Sequence, residues 1–207
     1  DMDFKAQPCV ISALSKRLAH GIFGYSDSGQ DYFDVLENWF YRRFQWKIRP
    51  EWLVKTPGIV FAICNAVRAF TEKGDAVLIQ QPVYPPFSWS VKVNDRKLVV
   101  NELVYSNGRY TIDFDDFEKK IVENNVKLFI LCSPHNPVGR VWKREELLRL
   151  GEICLKHGVL ILSDEIHADV VYGENKHTVF ATLAEEFAGS SVTFTSPTKT
   201  FNIAGLQ

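Results

Sequence analysis

The sequence predicts an α/β fold in which a mostly parallel sheet is sandwiched by helices, and three observations predict it. Short runs rich in Val, Ile, Leu and Phe alternate with segments whose apolar residues recur every three to four positions. The short runs are apolar at nearly every position, as strands covered on both faces are. Strand-helix alternation in turn favours parallel strands joined by helical crossovers, with helices on both sides of the sheet.

Residues 1–20 read as an N-terminal arm, and 21–207 as one α/β unit without repeats or an internal linker. The first helical pattern, "IVFAICNAVRAFTEKG", opens at Ile59 and stops at Gly74. "DAVLIQQPVY" and "RKLVVNELV" then read as strands bounded by polar or Pro/Gly signals. "DFDDFEKKIVENN" reads as a helix whose first-turn acids offset the helix dipole. The run "VKLFILCS" is a buried strand, and "KREELLRLGEICLKHG" a helix stopped at Gly158, its "KREELLR" forming a solvated face of spaced opposite charges. "VLILSDEIH" and "SVTFTS" complete the strands.

Composition limits the function. The 207 residues are 46% hydrophobic, enough for a core of ordinary globular size. A formal net charge of -1 gives no basic excess to draw nucleic acid or an anionic membrane. No apolar run is long enough to cross a bilayer. The four cysteines, Cys9, Cys64, Cys132 and Cys154, are scattered without metal-type spacing and read as reduced core thiols, so no metal site and a cytoplasmic location are expected. No signal peptide is visible, and a start at Asp1 without Met leaves room for a segment upstream.

Polar clusters gather after the strands. Ser133-Pro134-His135-Asn136-Pro137-Val138-Gly139 follows "KLFILC", Ser163-Asp164-Glu165-Ile166-His167 follows "GVLIL", and Ser196-Pro197-Thr198-Lys199 follows "VTFT". In a parallel sheet these ends share one edge, where sites form. Thr56-Pro57-Gly58 opens the helix at Ile59 and Val60, leaving backbone N–H groups free as a phosphate seat. Lys199 stands in a stretch without carboxylates, and a buried amine with a lowered pKa is a nucleophile suited to a Schiff base. Taken singly, each residue has a plainer reading: Lys199 an exposed lysine, Asp164 a helix N-cap, Tyr84 a turn filler, His167 a core histidine, and "PHNPVG" turn chemistry.

Taken together, "PGIV", "QPVYPPF", "SPHNPVGRVW", "DEIHAD" and "SPTKTFNIAGLQ", in this order, resemble the fold-type I pyridoxal-phosphate enzymes. Within them the chain is similar to the cystathionine β-lyase or carbon–sulfur lyase branch beside the class I/II aminotransferases. The resemblance covers essentially the whole chain. It implies that Lys199 holds the pyridoxal 5′-phosphate cofactor covalently and later moves the substrate's α-proton. Asp164 then faces the pyridine nitrogen, Asn136 the 3-oxygen, and Tyr84 the ring face. The backbone of Ile59 and Val60, with the Ser196 hydroxyl, holds the phosphate. His167 stands where many aminotransferases carry Tyr, and Gln207 where many carry Arg; both departures, like "DMDF", resemble the lyase branch.

The activity the resemblance implies is β-elimination from cystathionine, cysteine or a related S-substituted cysteine, giving a thiol, pyruvate and ammonia. The alternatives are amino transfer to a 2-oxo acid and a pyridoxal-phosphate-binding regulatory protein. A nicotinamide dehydrogenase is disfavoured, since no G-x-G-x-x-G follows a strand. The resemblance also implies a homodimer, with "GYSDSG" crossing to the neighbour and Tyr25 reaching its cofactor. Relatives continue further, so 21–207 is expected to be a partial large domain that lacks a small C-terminal domain and the substrate-carboxylate arginine.

Overall fold

Side-chain alternation along the strands decides where the apolar mass goes. Leu78, Phe129, Leu131 and Ile161 enter one core. Their sequence neighbours Val77, Ile79, Leu128, Ile130 and Leu162 enter another. A sheet that is apolar on both faces must be covered on both, which is the sandwich the sequence predicts.

The computed structural model describes residues 2–206. Their contacts form two compact units, Thr56–Thr195 and residues 2–55 with 196–206. The smaller unit holds α1 (Pro8–His20) and α2 (Gln30–Phe44). Phe33, Phe40 and Ile48 make its core, with Trp39, Phe44 and Trp46 packed against them. Neither helix was anticipated from the sequence. The α1 segment buries no residue, so Cys9 on it is exposed and is not a core thiol. Cys132 and Cys154 are buried as expected, and Cys64 is half-buried.

In the larger unit, α3 (Ile59–Phe70), β1 (Ala76–Gln81), α4 (Pro86–Lys92) and β2 (Lys97–Glu102) come first. A hairpin, β3 (Val104–Ser106) and β4 (Arg109–Thr111), then precedes α5 (Phe114–Asn124) and β5 (Val126–Cys132). The chain continues through α6 (Arg144–Lys156), β6 (Leu160–Asp164), α7 (Glu185–Gly189) and β7 (Ser191–Phe194). The main sheet runs β2-β1-β5-β6-β7, every pair parallel. Helices α5, α6 and α7 cover the face holding Phe129, and α3 and α4 the face holding Leu128.

Two details depart from the sequence reading. The run "RKLVVNELV" is two strands, because Asn107 and Gly108 at φ 50 and φ 75 form a tight turn that pairs β3 with β4. The "KREELLR" face is not all solvated. Glu146 accepts two hydrogen bonds from Arg140 Nη2, at 2.8 and 2.7 Å, and its carboxylate also receives the Lys143 N–H that begins α6.

Close packing on α6 yields a test. A Cβ on Gly151 would stand 2.5 Å from the Phe187 ring, which is stacked on Phe180 with centroids 5.3 Å apart. Helix propensity alone would make Gly151→Ala stabilising by about 1 kcal/mol. Overpacking opposes this more strongly, so the variant should lose about 1–3 kcal/mol in denaturant unfolding. Increased stability would mean that the ring pair yields.

Candidate active site

The strand order reverses between β1 and β5: the chain moves outward from β1 to β2, then outward the other way from β5 to β7. The helices that follow β1 and β5 pack on opposite faces of the sheet, and the carboxyl ends at such a reversal are where open α/β sheets bind ligands. "PVYPP" leaves β1 on one side and "SPHNP" leaves β5 on the other. Tyr84 N donates to Asn136 O at 3.0 Å, joining them. Tyr84 is 38% exposed, its ring edge-on to Phe87 at 6.0 Å. Asn136 is half-buried, and its N–H meets Cys132 Sγ at 3.4 Å.

Asp164 closes β6 beside Cys132, its partner in register on β5, and is 5% exposed. Its Oδ1 accepts from Ile166 N at 3.1 Å. The residues that follow form turns, so Asp164 does not cap a helix. Among the described residues no cationic side chain forms a salt bridge with it. Burial pushes its carboxyl up to about 7 from 3.8, opposed by the Ile166 N–H and aided by the Glu165 charge. Burial, followed by the Asp164 charge, likewise pushes the Cys132 thiol up to about 12. A buried carboxylate in this state is stabilised by a cationic N–H placed against it.

Helix α3 has Gly58 as its N-cap, whose φ of 145 suits glycine and which supplies no side-chain cap to the first turn. The N–H groups of Ile59 and Val60 lie in that turn, where helices leave donors without intrahelical acceptors. The half-buried His167 lies in the turn after β6.

Ser196 and Lys199 belong to the smaller unit, on the short helix α8 (Pro197–Thr200) that follows β7 in the chain. Ser196 is its N-cap, accepting from Thr198 N at 3.3 Å, and Lys199 is half-buried. Asn202 follows at φ 52. Its side chain accepts from Met2 N at 3.2 Å and donates to Met2 O and Phe4 O at 2.7 and 2.8 Å, so the segment after Lys199 is fastened to "MDF". Gln207 lies outside the described residues.

Glu165 and His135 stand in the polar clusters of the sequence without an expected role. Glu165 is buried on the opposite face from Asp164. It accepts from Ser163 Oγ at 2.8 Å and Phe180 N at 3.0 Å, and its Oε2 lies 2.7 Å from His177 Nε2. The available signal was a charged residue directly after an apolar strand, but Asp164 absorbed it.

The aminotransferase class I and II profile matches residues 1–207, and the chain belongs to that family. It is similar to cystathionine beta-lyase PatB of Bacillus subtilis (strain 168), 52% identical over 207 residues, which are 100% of this chain and 54% of that protein. Protein MalY of Escherichia coli (strain K12) is 35% identical over the same 207 residues, 52% of its own length. The crystal structure of cystalysin from Treponema denticola, which contains a pyridoxal 5′-phosphate cofactor, matches with a TM-score of 0.96 and 45% identity, covering 100% of this chain and 52% of that one. The α/β class and the resemblance read from the sequence stand, and the chain spans about half the length of the curated relatives it matches.

The buried acid has a measurable consequence. A carboxyl raised in the folded state keeps its proton where the unfolded chain has lost it, so folding weakens as pH climbs from about 4 to about 7. His135 acts oppositely. Burial lowers its imidazole to about 4 from 6.5, so its contribution improves with rising pH over much of that range and masks the first effect. Asp164→Asn removes the first and leaves the second. The ligand-free variant should therefore outgain the parent in stability between about pH 4 and pH 8, by up to about 4 kcal/mol in urea unfolding. A pH-independent difference would overturn the buried-charge assignment.

Proposed function

We propose that this chain is the cofactor-binding part of a pyridoxal-phosphate-dependent carbon–sulfur β-lyase acting on cystathionine, cysteine or a related S-substituted cysteine. The observation that carries the cofactor is Asp164, a buried carboxylate at the carboxyl end of the sheet that calls for a cationic N–H. The uncapped N-terminus of α3 suits the phosphate, and the donor set of Asn136 and Tyr84 suits a hydroxylated aromatic ring. The choice of β-elimination over transamination rests on the 52% identity to a cystathionine beta-lyase.

When bound, the cofactor supplies an electron sink for the pair left on the substrate's Cα. The Lys199 amine anchors it and moves the proton at Cα. Asp164 holds the proton on the ring nitrogen, so that the ring stays cationic. The Asn136 amide donates to the 3-oxygen, and Tyr84 stacks on the ring face. The N–H groups of Ile59 and Val60, with the Ser196 hydroxyl, bind the phosphate, and His167 lines the site beside the ring. With the Cα proton removed, the Cβ–S bond breaks and sulfur leaves as thiolate. With one water consumed, the products are a thiol, pyruvate and ammonia.

The reading extends to residues 21–207 as a partial large domain preceded by an arm at 1–20, in a cytoplasmic homodimer. The exposed Ile11, Leu14 and Leu18 of α1 favour coverage by a second copy, with Tyr25 reaching the neighbour's site. Among the described residues no helix is long and apolar enough to cross a membrane.

Incubation of the full-length protein with cystathionine should release pyruvate without any 2-oxo acid acceptor. Strict dependence on 2-oxoglutarate would instead establish transamination and sink the lyase reading. Borohydride reduction should leave a cofactor-sized adduct on Lys199, and an adduct on another lysine would refute that role. Asp164→Asn should bind cofactor yet lose at least about a hundredfold in turnover, whereas near-normal turnover would remove the ring nitrogen's proton from the mechanism.

A further inference from the structure

His135, 2% exposed, opens the turn after β5. Its Nε2 lies 2.9 Å from Pro82 O, in the connection leaving β1. A carbonyl only accepts, so Nε2 carries the proton and Nδ1 the lone pair. Burial lowers the imidazole to about 4, against the pull of the Pro82 and Cys132 carbonyls, which keeps the ring neutral at neutral pH. Nδ1 is itself buried and makes no hydrogen bond of good geometry among the described residues, although the Cys132 carbonyl also lies against the ring. Such an orphan is unfavourable, and an apolar ring of similar size would avoid it. The fold nevertheless places histidine here, and the one thing a hydrocarbon ring could not supply is the bond to Pro82.

The surroundings hold this ring in place. Trp142 meets it edge-on, with centroids 5.4 Å apart and planes at 90°, and Trp142 Nε1 donates to Cys132 O at 2.9 Å. Arg140 lies over the Trp142 ring at 4.5 Å and is fixed in turn by Glu146. His135 N donates to Arg140 O at 2.8 Å. The ring is thus anchored on the β5 side and reaches across to the β1 side, two residues before Tyr84 and one before Asn136.

We infer that His135 is a positioning residue: by donating Nε2–H to Pro82 O beside the Tyr84 N–Asn136 O bond, it ties the turn after β5 to the connection leaving β1 and steadies Tyr84 and Asn136 against each other, so that the face and the 3-oxygen edge of the cofactor ring are gripped together. This deepens the cofactor reading above and rests on it.

The test uses two ligands that cannot react with Lys199, pyridoxine 5′-phosphate and its analogue lacking the 3-hydroxyl, titrated into the full-length apoprotein. The parent should prefer the hydroxylated ligand. His135→Phe should lose about tenfold of that preference, the equivalent of one hydrogen bond out of place. His135→Gln, whose amide can still donate towards Pro82, should keep the preference within about threefold. A general loosening of the fold weakens both ligands alike and leaves their ratio unmoved. His135→Phe with an unchanged ratio would overturn the inference. Nitrogen NMR of the unmodified protein decides independently of any variant's folding: a protonated Nε2 supports the tie, and a protonated Nδ1 ends it. Failure of the parent itself to bind pyridoxine 5′-phosphate would locate the error in the cofactor reading.

Discussion

Everything at the candidate site depends on one topological constraint, the reversal of strand order between β1 and β5. A parallel sheet that grew in one direction would send each connection over its neighbour and leave no opening at the strand ends. Reversal sends the crossovers to opposite faces of the sheet, so the residues after β1 and after β5 lie at the kind of strand end where open α/β sheets bind ligands. Gln80, Asn101 and Ser163, polar side chains within the strands, are buried and hydrogen-bonded to other side chains. Tyr84, Asn136 and Asp164 sit at the carboxyl ends because that is where two-sided burial stops.

The second constraint is electrostatic. Two carboxylates leave β6 in succession, and alternation sends them to opposite faces. Glu165 is satisfied within the protein, its carboxylate receiving Ser163, Phe180 and His177 with almost no exposure. Asp164 receives a backbone N–H from Ile166 and no salt bridge among the described residues. The same chemical group at adjacent positions is therefore a structural anchor in one case and an unbalanced charge in the other. That asymmetry is what supports the role proposed for Asp164.

The sheet and its covering helices were legible because β1, β5 and β6 are continuous apolar runs and α3, α5 and α6 are strongly periodic. The smaller unit was not, since α1 buries nothing and α2 is so rich in aromatic and charged residues that no clean stripe emerges. The β3–β4 hairpin was missed although Asn107-Gly108 announces it, because "NELV" reads as a continuation of β2. The candidate site residues were named from motif order and the resemblance it carries. What sequence could not supply was the acceptor at Pro82 for His135, the partners of Glu165, or the grip of Asn202 on Met2 and Phe4, since each joins residues distant in the chain.

Adjacent acids at a strand end also raise a problem of spelling. If β6 slipped by one residue against β5, its side chains would change faces and each face would still carry one acid, so charge alone could not tell the right alignment from the wrong one. Reach can. The longer arm of Glu165 meets Ser163, Phe180 and His177 together, and the shorter arm of Asp164 in that place would leave some of these donors unmet. The anchor on the hidden face thus acts as a proof-reader for the exposed one, and a strand whose chemistry looks tolerant of shifts is held to a single reading frame.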